Sequence, residues 1–388
     1  MAGTVSNGTT ITLGDVKAEQ TGTTTVSQRA DAIAFGLVDS VFAGTLITGD
    51  ITSKVTSTGG NSRAQGLALA GTNVAATAKI VVGGTINVEG TDGFANGVNI
   101  GAIGATAGAI YQRDLLGSLT VNRINVSATT GEAAGIRLGN MVGEDASLTL
   151  GGDITATVTG GSNVVARGIS AGNDLAFTLA NNVNITASNN GTAASGTNAV
   201  AIFSTGDVEI DLAGHTLDLR NSHTGVSATS LTLDGSGTAR LGIVNLGSSA
   251  GNDIVLNNTK SLLDARSTAH TVIVAEGSLV AITNVGRVFT GPAPTYPATL
   301  GNLGKWDNEG TLLSASKFWN VGLNATNDVI VTAADSMNMN DGYLVAALMH
   351  ANYTGYNTVR GNFISYQPRR GFLGQAWCDP CAPVACDP

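Results

Sequence analysis

Residues 146–160 read ASLTLGGDITATVTG, and residues 175–189, LAFTLANNVNITASN, repeat that rhythm in different letters. Apolar side chains alternate with Thr, Asn, Ser or Asp, the period of two expected of strands buried on one face. Helical periodicity is missing from these stretches. The Gly-Gly and Asn-Asn pairs between the runs suit tight corners, because both residue types tolerate positive φ.

The same pattern lies upstream as TLITGDITSKV, KIVVGGTINVE and SLTVNRINVSA, so the runs are anchored on Leu46, Ile80, Leu119, Leu148 and Phe177. A second motif precedes four of them as QGLALAG, NGVNIGA, AGIRLGN and RGISAGN, anchored on Gly66, Gly97, Gly135 and Gly168. Each repeat thus reads as strand, corner, strand, corner, strand. Successive anchors stand 34, 39, 29 and 29 residues apart. Repeats of this length without intervening helices indicate a solenoid or a propeller. Uneven spacing favours the solenoid, whose corners accept insertions, and the periodic aromatic motifs of propeller blades are missing. Stacking requires only a residue class at each inward position, so loose copies preserve the fold.

Composition agrees with this reading. Glycine numbers 52 of 388 residues, aromatics make up 5% and charged residues 12%. Hydrophobic residues at 43% provide enough apolar surface to fold. A formal net charge of −9 without a Lys/Arg cluster argues against nucleic acid as a partner. No apolar run is long enough for a membrane-spanning helix, and MAGTVSNGTT lacks the features of a secretory signal.

Beyond residue 200 the repeats shorten, in DVEIDLAGHTLDLRN, SLTLDGSGTARLGIVNL, NDIVLNNTKSLLDA and TVIVAEGSLVAIT. The stretch IDLAGHTLDL, residues 210–219, resembles the turning motif of right-handed parallel β-helix proteins. The fold class expected is therefore all-β, a right-handed parallel β-helix (β-solenoid) over residues 1–290 with a short C-terminal helix and an extended tail. Ten to twelve coils, stacked about 4.8 Å apart, would form a rod roughly 50–60 Å long.

The composition changes at TGPAPTYPATLGNLGKWDNEG. Residues 291–339 read as a final coil or cap. In residues 340–366, Leu344, Leu348, Ala351, Tyr356, Val359 and Phe363 recur at helical intervals after a capping Asn340 or Asp341. Residues 367–388 read as a Cys/Pro-rich linker holding all three cysteines, Cys378, Cys381 and Cys386. The spacing C-x2-C-x4-C makes an incomplete metal site, whereas a disulfide with one thiol left for a partner chain suits an oxidising compartment.

This order, a long β-helix, a cap, a helix and a linker, resembles the passenger and junction of bacterial autotransporters. LMHANYTGYNTVRGNFIS is similar to the junction segment and GQAWCDPCAPVACDP to a Cys/Pro-rich linker. The resemblance implies an outer-membrane barrel as partner, whose eight or more strands are not among these 388 residues. It also implies a location at the cell surface or outer membrane, or secretion, and partners among surface ligands or copies of the chain itself.

Catalytic chemistry has one candidate cluster, Glu209, Asp211, His215, Asp218 and Arg220. Glu209 and Asp211 share one face of a strand at a separation open to a carboxylate pair, about 7 Å. The competing reading makes them solvent-facing positions and makes Gly214-His215 a corner. His215, His223, His270 and His350 lack metal-ligand spacing, the G-G-x-G-x-D calcium signature is missing, and no phosphate-binding glycine loop occurs. The expectation is no catalytic residue, no cofactor and no metal. The leading function is a structural or adhesive passenger, the second a self-assembling filament or surface-layer subunit, the third a polysaccharide-acting enzyme.

Overall fold

The computed structural model describes residues 4–283, except 23–27, 36–39, 58–61, 70–71, 92, 101, 104–109, 112–113, 142, 162–163, 191–198, 248–252, 265–270 and 275–278, together with the strand Asp328–Val331. The expected helix 340–366, the linker 367–388 with its cysteines, His270, His350 and the rest of 291–339 lie outside the described residues. Among the described residues every regular element is a β-strand, and nearly all pairings are parallel.

Strands of like position in successive repeats pair with each other, which generates four ladders. The first runs from Thr10–Thr12 through Thr45–Thr48, the start of Lys79–Gly90, the start of Ser118–Ala128, Ser147–Leu150, Leu175–Leu179, Val208–Asp211, Leu231–Asp234, Asp253–Leu256 and Thr271–Val274 to Asp328–Val331. The second runs from Val16–Gly22 through Ile51–Ser57, the later halves of the same two long strands, Ile154–Val158, Val183–Asn189, Thr216–Asp218, Thr238–Gly242 and Lys260–Asp264 to Leu279–Thr283. Because those two strands belong to both ladders, the two join into one 19-stranded sheet. A third ladder has eight strands, Arg29–Ala34, Ser62–Ala68, Gly93–Ile100, Glu132–Leu138, Val165–Ala171, Ala199–Ser204, Thr224–Ala228 and Val244–Leu246.

The sequence anchors are neighbours in space. Leu46 pairs with Ile80, Ile80 with Leu119 and Leu119 with Leu148, while Phe177 pairs with Ile210 and Ile210 with Leu233. All are buried. On the third ladder Ile33, Leu67, Val98, Ile136, Ile169, Ile202, Val226 and Val244 form one buried column, and Ala30, Ala64, Ala95, Ala133 and Ala166 form another. Residues of one class stacked along a column suit the close packing that protein interiors demand.

The glycine anchors are explained by close approach. A Cβ at Gly97 would stand 2.5 Å from both the Gly135 carbonyl oxygen and Ile124 Cγ2, and one at Gly168 would stand 2.2 Å from Ile185 Cγ2. The third ladder therefore packs its backbone against isoleucines of the second. Ala201 takes the glycine position in the next strand, where the register Val183 to Leu217 and Asn184 to Asp218, carried on by one residue, replaces the β-branched isoleucine with Leu219.

The structure also adds an element. A four-stranded ladder of very short strands, Ser40–Phe42, Thr72–Val74, Asp114–Leu115 and Asn140–Met141, closes the early repeats, which therefore hold four strands each rather than three. The longest anchor spacing contains an antiparallel pair, Ala102–Ile103 with Ile110–Tyr111. Aromatic rings enter the interior too: Phe177 is buried in the first column, and Phe35 and Phe42 meet edge to face at 5.2 Å.

Candidate functional site

Of the candidate cluster, Glu209 and Asp211 lie on the strand Val208–Asp211, His215 at the corner after it, and Asp218 at the end of Thr216–Asp218. Asp211 Oδ1 accepts a hydrogen bond from the Ala213 backbone N–H at 2.9 Å, which fixes the corner where Ala213 (φ 48°) and Gly214 (φ 86°) are both left-handed. The His215 backbone joins this corner, its N–H bonding the Leu212 carbonyl at 2.8 Å. Glu209 is exposed on its strand. Asp218 and Arg220 do come together: Nη2 of Arg220 lies 2.6 Å from Oδ2 of Asp218, and Arg240, in register on the next strand, approaches to 3.5 Å. Burial opposes the charge on Asp218, but the Arg220 hydrogen bonds and the two guanidinium charges outweigh it and hold the carboxyl below its ordinary range.

The abundant corner Asp and Asn residues act between repeats. Asp15 Oδ1 accepts from the Asp50 backbone N–H at 3.0 Å, and Asp50 Oδ1 from that of Thr85 at 2.7 Å. Asp153 accepts from the Asn184 backbone N–H at 2.8 Å, Asn182 from that of Thr216 at 2.9 Å, and Asp174 from that of Asp207 at 2.9 Å. Each side chain satisfies an N–H that strand pairing leaves over at a corner, so these Asp and Asn side chains tie one repeat to the next. No group of three or more His, Cys, Asp or Glu is placed to hold a metal among the described residues.

A different region gathers chemistry. Beside its apolar columns the third ladder carries columns that hold its polar and charged residues. One such column holds Arg29, Arg63, Phe94, Glu132 and Val165, the next Asp31, Gln65, Asn96, Ala134, Arg167 and Val200, and a third Asn99, Arg137, Ser170 and Phe203. Arg29, Arg63, Arg137 and Arg167 thus lie on one ladder of an otherwise acidic protein. Arg29 is paired with Asp31, Arg137 lies 3.3 Å from both carboxylate oxygens of Glu132, and Arg167 stacks over Phe203 at 3.7 Å while its Nη1 donates to Ser170 Oγ at 3.1 Å.

Arg63 has no ion pair among the described residues, and burial, then the neighbouring Arg29 charge, lowers its pKa. Burial likewise lowers that of Arg167. Beside them Gln65 and Asn96 are fully buried, and both the nitrogen and the oxygen of each amide lack a hydrogen-bond partner. Comparison with protein-family models, curated proteins and solved structures finds none that matches this chain.

Sequence reading located the glycine motif but not this region. The signal was present: Arg63 and Gln65 in SRAQG and Arg167 in VARGI flank the anchors Gly66 and Gly168, in a chain where charge is scarce.

Proposed function

We propose that the paired strands wind as a right-handed parallel β-helix and that the chain is a non-enzymatic, surface-exposed passenger of an autotransporter-like protein, with a structural or adhesive role. The observation that carries this reading is the unbroken parallel register of the first ladder from Thr10 to Val274, which supports a rigid rod with flanks built from outward side chains. Treating intact source cells with proteinase K, followed by immunodetection of residues 10–283, tests the location. Degradation without lysis is expected; protection until lysis would overturn the proposal.

A second reading has its own observation. Among the described residues, Thr10–Thr12, Val16–Gly22 and Arg29–Ala34 each pair on one side only, which leaves an open parallel edge. Copies adding to this edge would form a filament, and electron microscopy of purified protein distinguishes dispersed rods from fibres.

A further inference from the structure

The second ladder begins on a strand that pairs on one side only among the described residues, Val16–Gly22 with Ile51–Ser57. Burial shows the opening. Ile51, Ser53 and Val55 are buried, whereas Val16 and Ala18, which precede the first two in the same columns, are only partly covered, and Gln20, which precedes Val55, is exposed. The outward positions of this strand include Lys17 and Glu19, whose side chains stand 3.0 Å apart at 64% and 48% exposure. We infer that this edge pairs with the same edge of a second copy, antiparallel about a two-fold axis, with Lys17 of each copy opposite Glu19 of the other. The inference shares its edge with the second reading above, but a two-fold pair closes that edge where a filament would extend it.

Charge selects both partner and register. Residues opposite each other in an antiparallel pair lie on the same face, so only registers that match odd positions with odd and even with even keep Val16 and Ala18 on the core side. Full overlap of the two strands sets Glu19 opposite its own copy, and centring the pair on Lys17 does the same for the lysine; like charges so placed are destabilising. Centring on Gln20 sets Glu19 opposite Thr21 and leaves both charges unmatched. Centring on Ala18 sets Lys17 opposite Glu19 at both symmetry-related positions, the reciprocity that an isologous contact requires. Along the ladder the column Glu19, Lys54, Glu89 already alternates in sign, and Lys17 of the other copy continues it. Head-to-tail addition lacks this match, because the far strand of the second ladder among the described residues, Leu279–Thr283, reads LVAIT and has no charge to set against Lys17 and Glu19. Pairing also satisfies the backbone groups of the open edge and removes more of Val16 and Ala18 from water.

Sedimentation velocity of the full chain over a dilution series tests this. A monomer–dimer equilibrium is expected. Lys17→Glu should weaken the dimer about tenfold or more, since it turns two attractive pairs into two repulsive ones. Adding Glu19→Lys exchanges the charges and restores their complementarity, so the double variant should return to within about threefold of the parent. Lys79→Gln, on a strand paired on both sides, should leave the equilibrium unchanged. Circular dichroism melts of each variant keep loss of pairing distinct from loss of fold. A chain monomeric at every concentration, a single reversal without effect, or a folded double variant that stays monomeric would each overturn the inference. Fibres in electron micrographs would overturn it too and support the filament instead. None of these results bears on proteinase K accessibility, so the surface location stands or falls separately.

Discussion

Gly135 lies against Ile154 so closely that a Cβ on the glycine would stand 2.4 Å from Ile154 Cγ2 and 2.5 Å from the Gly168 carbonyl oxygen. The second contact is with backbone, which a rotamer change cannot relieve. Gly135→Ala should therefore destabilise the protein by about 1–3 kcal/mol, the usual range for overpacking. Chemical denaturation reads this directly; an unchanged midpoint would show that the two ladders stand further apart than the structure places them.

Asp50 links three repeats, since its backbone N–H bonds Asp15 and its carboxylate accepts from Thr85. Asp50→Ala leaves the Thr85 N–H to water and should cost about 1 kcal/mol, whereas Asp50→Asn, which keeps an acceptor oxygen, should cost less. Hydrogen exchange at Thr85 should quicken in the alanine variant. Equal melting temperatures for the two variants would exclude the proposed tie.

The corner after Asp211 holds Ala213 at φ 48°, a conformation that disfavours residues with a Cβ. Glycine removes that strain at some entropic cost, so Ala213→Gly should raise stability slightly, by up to about 1 kcal/mol. Ala213→Val, β-branched, should lower it. Thermal melts of both variants check the order valine, alanine, glycine.

Asp218 provides a pH dependence. Its folded-state pKa lies below the ordinary 3.8, so its stabilisation is complete above about pH 4 and is lost as pH falls through the depressed folded value. Asp218→Asn should melt lower than the parent at pH 7, and the gap should narrow as the pH falls below the ordinary carboxyl value. A gap that stays constant across this range would mean that ionisation of Asp218 does not stabilise the fold. The carboxylate is partly exposed, so high salt should narrow the gap as well.

Parallel ladders make sequence and space unusually interchangeable. Leu46, Ile80, Leu119 and Leu148 could be aligned by letter class alone because each stacks on its own equivalent, and their pairing follows that alignment residue for residue. Gly97 and Gly135 were visible as a motif for the same reason. The strands Thr72–Val74 and Asp114–Leu115 were not, since runs of two or three residues carry no periodicity. The polar column of the third ladder posed the opposite difficulty: its amides Gln65 and Asn96 give way to Ala134 and Arg167 in the following repeats, so repetition could not reveal it.

Alternation, corner glycines and the repeat length were enough, by themselves, to establish strands stacked in register, because backbone pairing asks only that apolar residues recur on one face. Which polar side chains meet was decided by the fold alone. Arg240 reaches Asp218, and Arg63 comes to lie beside Gln65 and Asn96, only after the ladders have brought separate repeats within side-chain reach. Contacts of that kind depend on distances across strands that no local pattern in the chain encodes.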